Sequence, residues 1–161
     1  MAADIHVEFG VQIDKPSSED IIGWAEAAFG KSSENFETCI RIVDKTEMSG
    51  LNKQFRNKSG TTNVLSFPAD VPEPVGSNLL GDIVICAPVV EKEAAEQGKQ
   101  LTAHWAHMVV HGCLHLAGYD HIDDKDATEM ESKEIQILAS LGYANPYQLE
   151  QTLNDIQATA N

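Results

Sequence analysis

Apolar and polar residues alternate along several short stretches of the chain, a pattern that predicts β-strands. Residues 4–13 predict a half-buried strand, and residues 37–44 and 63–67 predict two more. Residues 81–87, with the sequence GDIVICA, are apolar without alternation. Such a run is typical of a strand that is covered on both faces.

Helical periodicity accounts for most of the chain between and after these strands. The predicted helices cover residues 16–30, 46–55, 89–98, 103–118 and 123–142. Thr46 and Thr102 are the expected N-caps of the second and fourth helices, and Ser49 or Gly50 should interrupt the second helix weakly. Gly118 is expected to end the fourth helix, since glycine readily adopts the left-handed conformation found there.

The order of these elements begins β-α-β-α-β-β-α-α, which predicts an α+β or mixed-sheet domain of at most three layers. The prolines and glycine of residues 68–79 predict a loop. A length of 161 residues is usual for one domain, so we expect a single domain over 1–161. Residues 145–161 form a polar tail with scattered Leu and Ile.

Charge is strongly negative but unevenly distributed. The chain has eleven basic and twenty-five acidic residues, a net charge of 11 − 25 = −14. This argues against passive binding of nucleic acid over the whole surface. Five of the eleven cations nevertheless lie within residues 41–58, whereas residues 120–134 hold seven acids and two lysines. Each block indicates either a local binding patch or a solvated helix face.

Nothing in the chain resembles a membrane span or a secretory signal, so we expect a cytoplasmic protein with no membrane partner. Its three cysteines, Cys39, Cys86 and Cys113, are widely spaced in apolar surroundings. Reduced core residues are therefore the expected state.

Three histidines near the end of the fourth helix have the spacing of a transition-metal site. His111 and His115 lie four residues apart, and helix side chains four apart share one face. Gly118 allows a sharp turn, after which His121 can fold back as a third ligand. Three histidines with an open fourth position are typical of a catalytic zinc site.

The spacing equals that of the metzincin motif H-E-x-x-H-x-x-G-x-x-H, with one chemical difference. Gly112 stands where those proteases have their general-base glutamate. A peptidase of that mechanism would lack its base, although a metal ion alone can activate water. His107, four residues before His111, indicates a supporting or packing role rather than a ligand.

The segment HGCLHLAGYDH at residues 111–121 resembles the H-G-x-L-H-L-x-G-Y-D-H signature of the YbeY family, bacterial single-strand endoribonucleases that act in ribosomal RNA maturation. Residues 51–68 are similar to that family's L-N-x-x-[FY]-R and T-[DN]-V-L-S-F-P segments, and residues 80–85 to its L-G-D-I-x-I strand. The resemblance covers roughly positions 40 to 147. Asn63 stands where many members have aspartate.

The resemblance implies that His111, His115 and His121 are zinc ligands and that Arg56 serves catalysis near the metal. It also implies a small mixed sheet of about four strands flanked by helices, with the metal at one end of a cleft. The residue chemistry agrees on Arg56, because a guanidinium suits phosphate and can stabilise a phosphodiester as it is attacked. A surface salt bridge is the alternative for this arginine.

Other polar residues leave their roles open. Asp82 is a charge within an apolar strand and should need a partner. Asp120 could support His121 or stabilise the turn. Thr61, Thr62 and Ser66 could bind phosphate oxygens or serve the turn and strand.

The expected function is a zinc-dependent endoribonuclease of single-stranded RNA, chiefly in the maturation of small-subunit ribosomal RNA, with one zinc ion per chain. One alternative is a ribosome-assembly binding factor with a structural zinc. Another is a metal-dependent hydrolase of a different substrate such as a peptide, which the absence of a glutamate at position 112 disfavours. The acidic surface could dock a basic ribosomal protein.

Overall fold

A computed structural model describes residues 4–30, 37–69, 79–118 and 124–147. Within these ranges the strands are β1 (Asp4–Phe9), β2 (Glu37–Val43), β3 (Val64–Pro68) and β4 (Leu79–Cys86). The helices are α1 (Ser18–Phe29), α2 (Lys45–Arg56), α3 (Ala87–Gln97), α4 (Leu101–Leu116) and α5 (Asp124–Ser140). Each lies where the periodicity predicts it, with ends that shift by a few residues.

The strands form one mixed sheet in the order β1-β2-β4-β3. β1, β2 and β4 are parallel, with Ile40 opposite Ile83, whereas β3 runs antiparallel to β4, with Ser66 opposite the same Ile83. β1 and β3 are therefore the two edges of the sheet formed by the described residues. The expected α+β fold with a small mixed sheet of about four strands is confirmed.

Both faces of the sheet are covered, which gives three layers. Ile83 and Ile85 of β4 belong to the larger core with α1, α4 and α5. Val84 and Cys86, which point the other way, pack with Met48 of α2 in a smaller cluster. The prediction that 81–87 is a strand buried on both faces is thus confirmed, since alternate residues enter different cores.

Several local predictions are wrong. The N-cap of α2 is Asp44, whose carboxylate accepts a hydrogen bond from the Glu47 amide at 2.9 Å, and Thr46 lies inside the helix. α4 begins after Gln100, which makes no side-chain capping bond, so Thr102 is not its cap either. Asp82 is exposed and needs no buried partner. Gly50 does not interrupt α2.

The three cysteines are free, as expected, with Cys86 and Cys113 buried and Cys39 half-buried. Burial raises the pKa of the Cys113 thiol well above its usual range. None of the helices in the described ranges is long and apolar enough to span a membrane. The expected loop at 68–79 falls largely outside those ranges, as does most of the polar tail.

Gly81 sets how closely β4 approaches its neighbours. Its φ of +147° is unfavourable for other residues, and a Cβ there would meet the Phe67 carbonyl oxygen and lie 2.8 Å from Leu116 Cδ2. The end of α4 consequently sits directly on the β3–β4 pair. This contact brings the last turn of α4 to the sheet edge formed by β3.

We expect Gly81→Ala to lower the free energy of unfolding by about 3 kcal/mol, through overpacking and backbone strain. Gly50→Ala is the matched control, because a Cβ at Gly50 meets nothing within 4 Å and the residue lies in a helix. It should raise stability by up to about 1 kcal/mol. Urea unfolding of both variants checks this, and equal stabilities would contradict the close approach at Gly81.

Candidate functional site

A cleft of about 870 Å³ lies where the end of α2, the strand β3 and the last turns of α4 meet. Its lining comprises Asn52, Arg56, Lys58, Ser59, Thr61, Thr62, Asn63, Val64, Leu65, Ser66, Pro68, His111, His115 and Gly118. Among these described residues none carries a carboxylate, although the whole chain has a charge of −14. The cleft therefore offers cations and hydroxyl groups to an anionic ligand.

The packing of Gly112 on the sheet determines which face of α4 lines this cleft. A Cβ at Gly112 would lie 2.9 Å from Ile83 Cγ2 and 3.2 Å from Val64 Cγ2, so this position faces the sheet. The Ser66 hydroxyl donates a hydrogen bond to the Gly112 carbonyl at 3.0 Å, which ties α4 to β3. A glutamate at 112 would clash with the sheet instead of reaching the cleft.

His111 and His115 line the cleft together on the face of α4 beside Gly112. Their Nε2 atoms are 3.1 Å apart. Two nitrogens that share a tetrahedral ion with bonds of about 2.05 Å would be about 3.3 Å apart. The pair therefore fits two ligands of one transition-metal ion with little adjustment.

Glu134 of α5 lies behind this pair and is fully buried. Its carboxylate contacts His111 Nδ1 at 2.7 Å, His107 Nε2 at 2.7 Å and the Tyr147 hydroxyl at 2.5 Å. Burial alone would raise the pKa of Glu134, but the hydrogen bonds from His107 and His111 hold it well below its usual range. Because His111 donates from Nδ1 to the carboxylate, its Nε2 atom is the one that faces the cleft.

A second grouping of possible ligands overlaps with the first. One ligand atom from each of His107, His111 and Glu134 lies within 4.8 Å of the others, so these three side chains could also hold a metal ion. Their 2.7 Å contacts, however, are the lengths of charge-assisted hydrogen bonds. His107 and Glu134 are also shielded from solvent, whereas His115 opens into the cleft.

His121, the predicted third histidine, lies outside the described residues, as does Asp120. Its place in the site stays a prediction. α4 ends at Leu116, and Gly118 follows with a φ of +106°. The expected end of the helix at Gly118 is thus confirmed, and it lies at the wall of the cleft, whereas the turn expected at Tyr119-Asp120 lies outside the described residues.

Arg56 reaches the cleft from the last turn of α2. Its Nη2 atom donates a long hydrogen bond of 3.4 Å to the Ser66 carbonyl, and Lys58 lines the cleft nearby. Within the described part of the chain Arg56 forms no salt bridge, and its hydrogen bond goes to a carbonyl oxygen instead. Thr61 and Thr62 line the cleft, whereas the Ser66 hydroxyl donates its hydrogen bond to the Gly112 carbonyl.

Asn63, where many YbeY sequences have aspartate, is held by hydrogen bonds to Glu93 and to the Val64 amide. Its amide nitrogen lies 3.2 Å from both carboxylate oxygens of Glu93, and its amide oxygen accepts from the Val64 amide at 2.7 Å. Glu93 also contacts His104 Nε2 at 3.1 Å. A carboxylate at position 63 would instead face Glu93 as a like charge.

Sequence reasoning missed Glu134 and Tyr147, the residues that hold His107 and His111. One signal was present, because Glu134 lies four residues after Met130 and four before Leu138, within the apolar face of α5. Met130 and Leu138 are buried, and an acid on that stripe must be buried with them. A buried acid requires partners, which here are the histidines of α4.

Known proteins resemble this chain over most of its length. The family described as Endoribonuclease YbeY matches residues 10–142. A protein of Methylococcus capsulatus named Endoribonuclease YbeY is 61% identical over 132 residues, which are 82% of this chain and 87% of that protein. A protein of the same name from Stutzerimonas stutzeri is 57% identical over 82% of this chain and 83% of its own.

A solved structure is similar to this chain in sequence and fold. The solution structure of TM1509 from Thermotoga maritima superposes with a TM-score of 0.55 at 30% sequence identity, covering 83% of this chain and 86% of that one. The match to the family spans most of the chain and includes β2 to α4, the elements that form the cleft. The chain therefore belongs to the YbeY family of endoribonucleases.

Proposed function

We propose that this protein is a zinc-dependent endoribonuclease that cuts single-stranded RNA in the cleft between α2, β3 and α4, chiefly during maturation of small-subunit ribosomal RNA. The observation that carries the proposal is the meeting of the His111–His115 pair and Arg56 in one cleft with no carboxylate among its described lining residues. The names of its relatives supply the reaction class: this member of the family is an RNA phosphodiester hydrolase.

We assign His111, His115 and His121 as the ligands of one zinc ion per chain. The Nε2 atoms of the first two already converge, and the Glu134 carboxylate holds His111 in the tautomer that metal binding needs. Zinc bound there would supply a Lewis acid that polarises a phosphoryl oxygen and lowers the pKa of water. Three protein ligands would leave the remaining position open to the cleft.

Arg56 and Lys58 then act on the substrate. A phosphodiester carries negative charge that grows on its equatorial oxygens during attack, and fixed cations beside it stabilise that state. Arg56 contributes a planar fork suited to phosphate, held in place by its bond to the Ser66 carbonyl. The hydroxyls of Thr61 and Thr62 on the cleft wall can donate hydrogen bonds to phosphate oxygens.

The alternative of a ribosome-assembly factor with a structural zinc is disfavoured by the cleft, because His111 and His115 open into it. A peptidase is disfavoured because position 112, where a metzincin has its base, faces the sheet. Docking of a basic ribosomal protein on the acidic surface is compatible with the enzyme. We propose one domain over 1–161 acting in the cytoplasm, where ribosomal RNA is processed.

The metal assignment predicts different effects of two histidine substitutions. Protein purified without added metal should contain about one zinc ion per chain, and His115→Ala should lose most of it because two ligands bind too weakly. His107→Ala, which removes only a partner of Glu134, should keep the metal with about 10- to 100-fold weaker affinity. Elemental analysis and competition with a chelator measure both.

The opposite pattern, with full metal in His115→Ala and none in His107→Ala, would assign the ion to His107, His111 and Glu134. Circular dichroism of both variants controls for loss of fold.

The role of Arg56 predicts a loss of rate without a loss of metal. Arg56→Lys keeps the positive charge but not the planar fork, so the cleavage rate should fall by about 10²- to 10³-fold. Zinc content and thermal stability should be unchanged. Lys53→Arg is the matched control, since Lys53 is exposed on the same helix and does not line the cleft. Near-native cleavage by Arg56→Lys would contradict the assignment.

The substrate assignment predicts that metal-restored protein cuts single-stranded RNA, leaves duplex RNA intact and has no measurable peptidase activity. Duplex RNA should resist because its A-form backbone cannot easily reach in-line geometry within a narrow cleft. Gel analysis of labelled substrates, with metal-stripped protein as control, measures this. Cleavage of peptides with RNA left intact would overturn the proposed function.

A substrate with one 2′-deoxy residue at the cut site identifies the nucleophile. Continued cleavage there indicates water, and selective resistance at that bond indicates the 2′-hydroxyl.

A further inference from the structure

Phe55 is the most exposed large apolar side chain among the described residues. Its exposed fraction is 57%, compared with 43% for Phe9 and 39% for Leu101. Phe55 lies in the last turn of α2, directly before Arg56. An aromatic ring left open to water beside a binding cleft suggests a contact with a ligand.

The Phe55 ring is held in place on one side and open on the other. It packs against the ring of Phe67 in a T-shaped arrangement, with centroids 5.3 Å apart and an interplanar angle of 66°. Phe67 itself packs on the buried cluster of Val43, Met48, Leu65, Val84 and Cys86. The ring is thus preorganised, so a ligand that stacks on it loses little side-chain entropy to order it.

Phe55 and Arg56 contact consecutive residues of β3, namely Phe67 and Ser66. The Ser66 carbonyl points to the free edge of β3. On either side of it, the Cys86 amide donates a hydrogen bond to the Asn63 carbonyl, and the Ala69 amide donates one to the Leu80 carbonyl. In an antiparallel ladder, residue pairs joined by hydrogen bonds alternate with pairs that are not. Ser66 and Ile83 therefore form a pair without ladder hydrogen bonds. The Phe55 ring and the Arg56 guanidinium, on adjacent residues of α2, are therefore both held against β3.

We infer that Phe55 forms a base-stacking subsite for single-stranded RNA, in which one nucleobase stacks on the open side of the ring while the adjoining backbone phosphate contacts Arg56. The inference rests on the proposed function and names a second contact of the same substrate. An aromatic ring beside cations is the combination used by proteins that bind single strands without sequence preference. A base in a duplex is stacked on both faces, so this subsite selects single strands independently of backbone geometry.

The test measures binding to a labelled single-stranded octaribonucleotide with chelator present, so that the RNA stays intact. Phe55→Leu should weaken binding by about 5- to 150-fold, the usual effect of removing one base–aromatic stack. Phe55→Trp should bind at least as tightly as the parent. Phe9→Leu is the matched control, because Phe9 is also exposed but lies on β1 at the opposite edge of the sheet. It should bind like the parent.

A series of octamers with one abasic position each separates stacking from a structural effect. At one position of the octamer, loss of the base should weaken binding to the parent protein about as much as Phe55→Leu does. Loss of the base at that same position should leave the affinity of Phe55→Leu unchanged. Parent-like binding by Phe55→Leu would overturn the subsite. So would equal sensitivity of both proteins at every position, or a parent protein insensitive at all of them.

Thermal unfolding and zinc content check that Phe55→Leu is folded. The parent protein also separates this inference from the proposed function. If it cuts single-stranded RNA while Phe55→Leu binds normally, only the subsite is wrong. If it neither binds nor cuts RNA, the proposed function fails and the subsite fails with it.

Discussion

The contact between the backbone of α4 at Gly112 and the β3–β4 pair decides the geometry of the rest of the site. With a Cβ absent at this one position, the helix settles directly on Ile83 and Val64 and receives the Ser66 hydroxyl on its carbonyl. Residues on either side of the contact then face along the sheet. His111 and His115 reach the cleft wall, while His107 points towards α5. The placement of these three histidines thus depends on how closely the backbone of α4 packs on the sheet.

The buried carboxylate of Glu134 fixes how the imidazole rings of His107 and His111 are rotated. A charged Glu134 inside the protein would be strongly unfavourable without hydrogen-bond partners. Its carboxylate has three such partners, His107 and His111 of α4 and Tyr147 after α5. The same bonds that stabilise this charge orient His111. Core and site are therefore linked, because α5 cannot shift relative to α4 without disturbing the ring that faces the cleft.

The features that could be predicted from the sequence are those in which neighbours along the chain decide the outcome. The strand at Leu79–Cys86, the helix that carries the histidines and the turn at Gly118 follow from local patterning. The cap of α2 was mispredicted because Asp44 and Thr46 are both competent caps two residues apart. Glu134 joins α5 to α4, and the bonds among Asn63, Glu93 and His104 join the segment before β3 to α3 and α4. Because these bonds link separate parts of the chain, no local pattern predicts them. Gly112 was interpreted as a missing base, and only the packing shows it as a point of contact.

The hydrogen bond between Arg56 and the Ser66 carbonyl also bears on whether the edge strand β3 can pair with another molecule. β3 is an edge strand, and an outward carbonyl on such a strand can pair with a strand of another molecule. Arg56 occupies that acceptor, and Pro68, which has no amide hydrogen, ends the same strand. The cation that we propose for RNA binding therefore also covers one outward backbone acceptor of this edge. Under the proposed function, a substitution at position 56 would act on two properties at once, the cleavage rate and the resistance of the β3 edge to pairing with another strand.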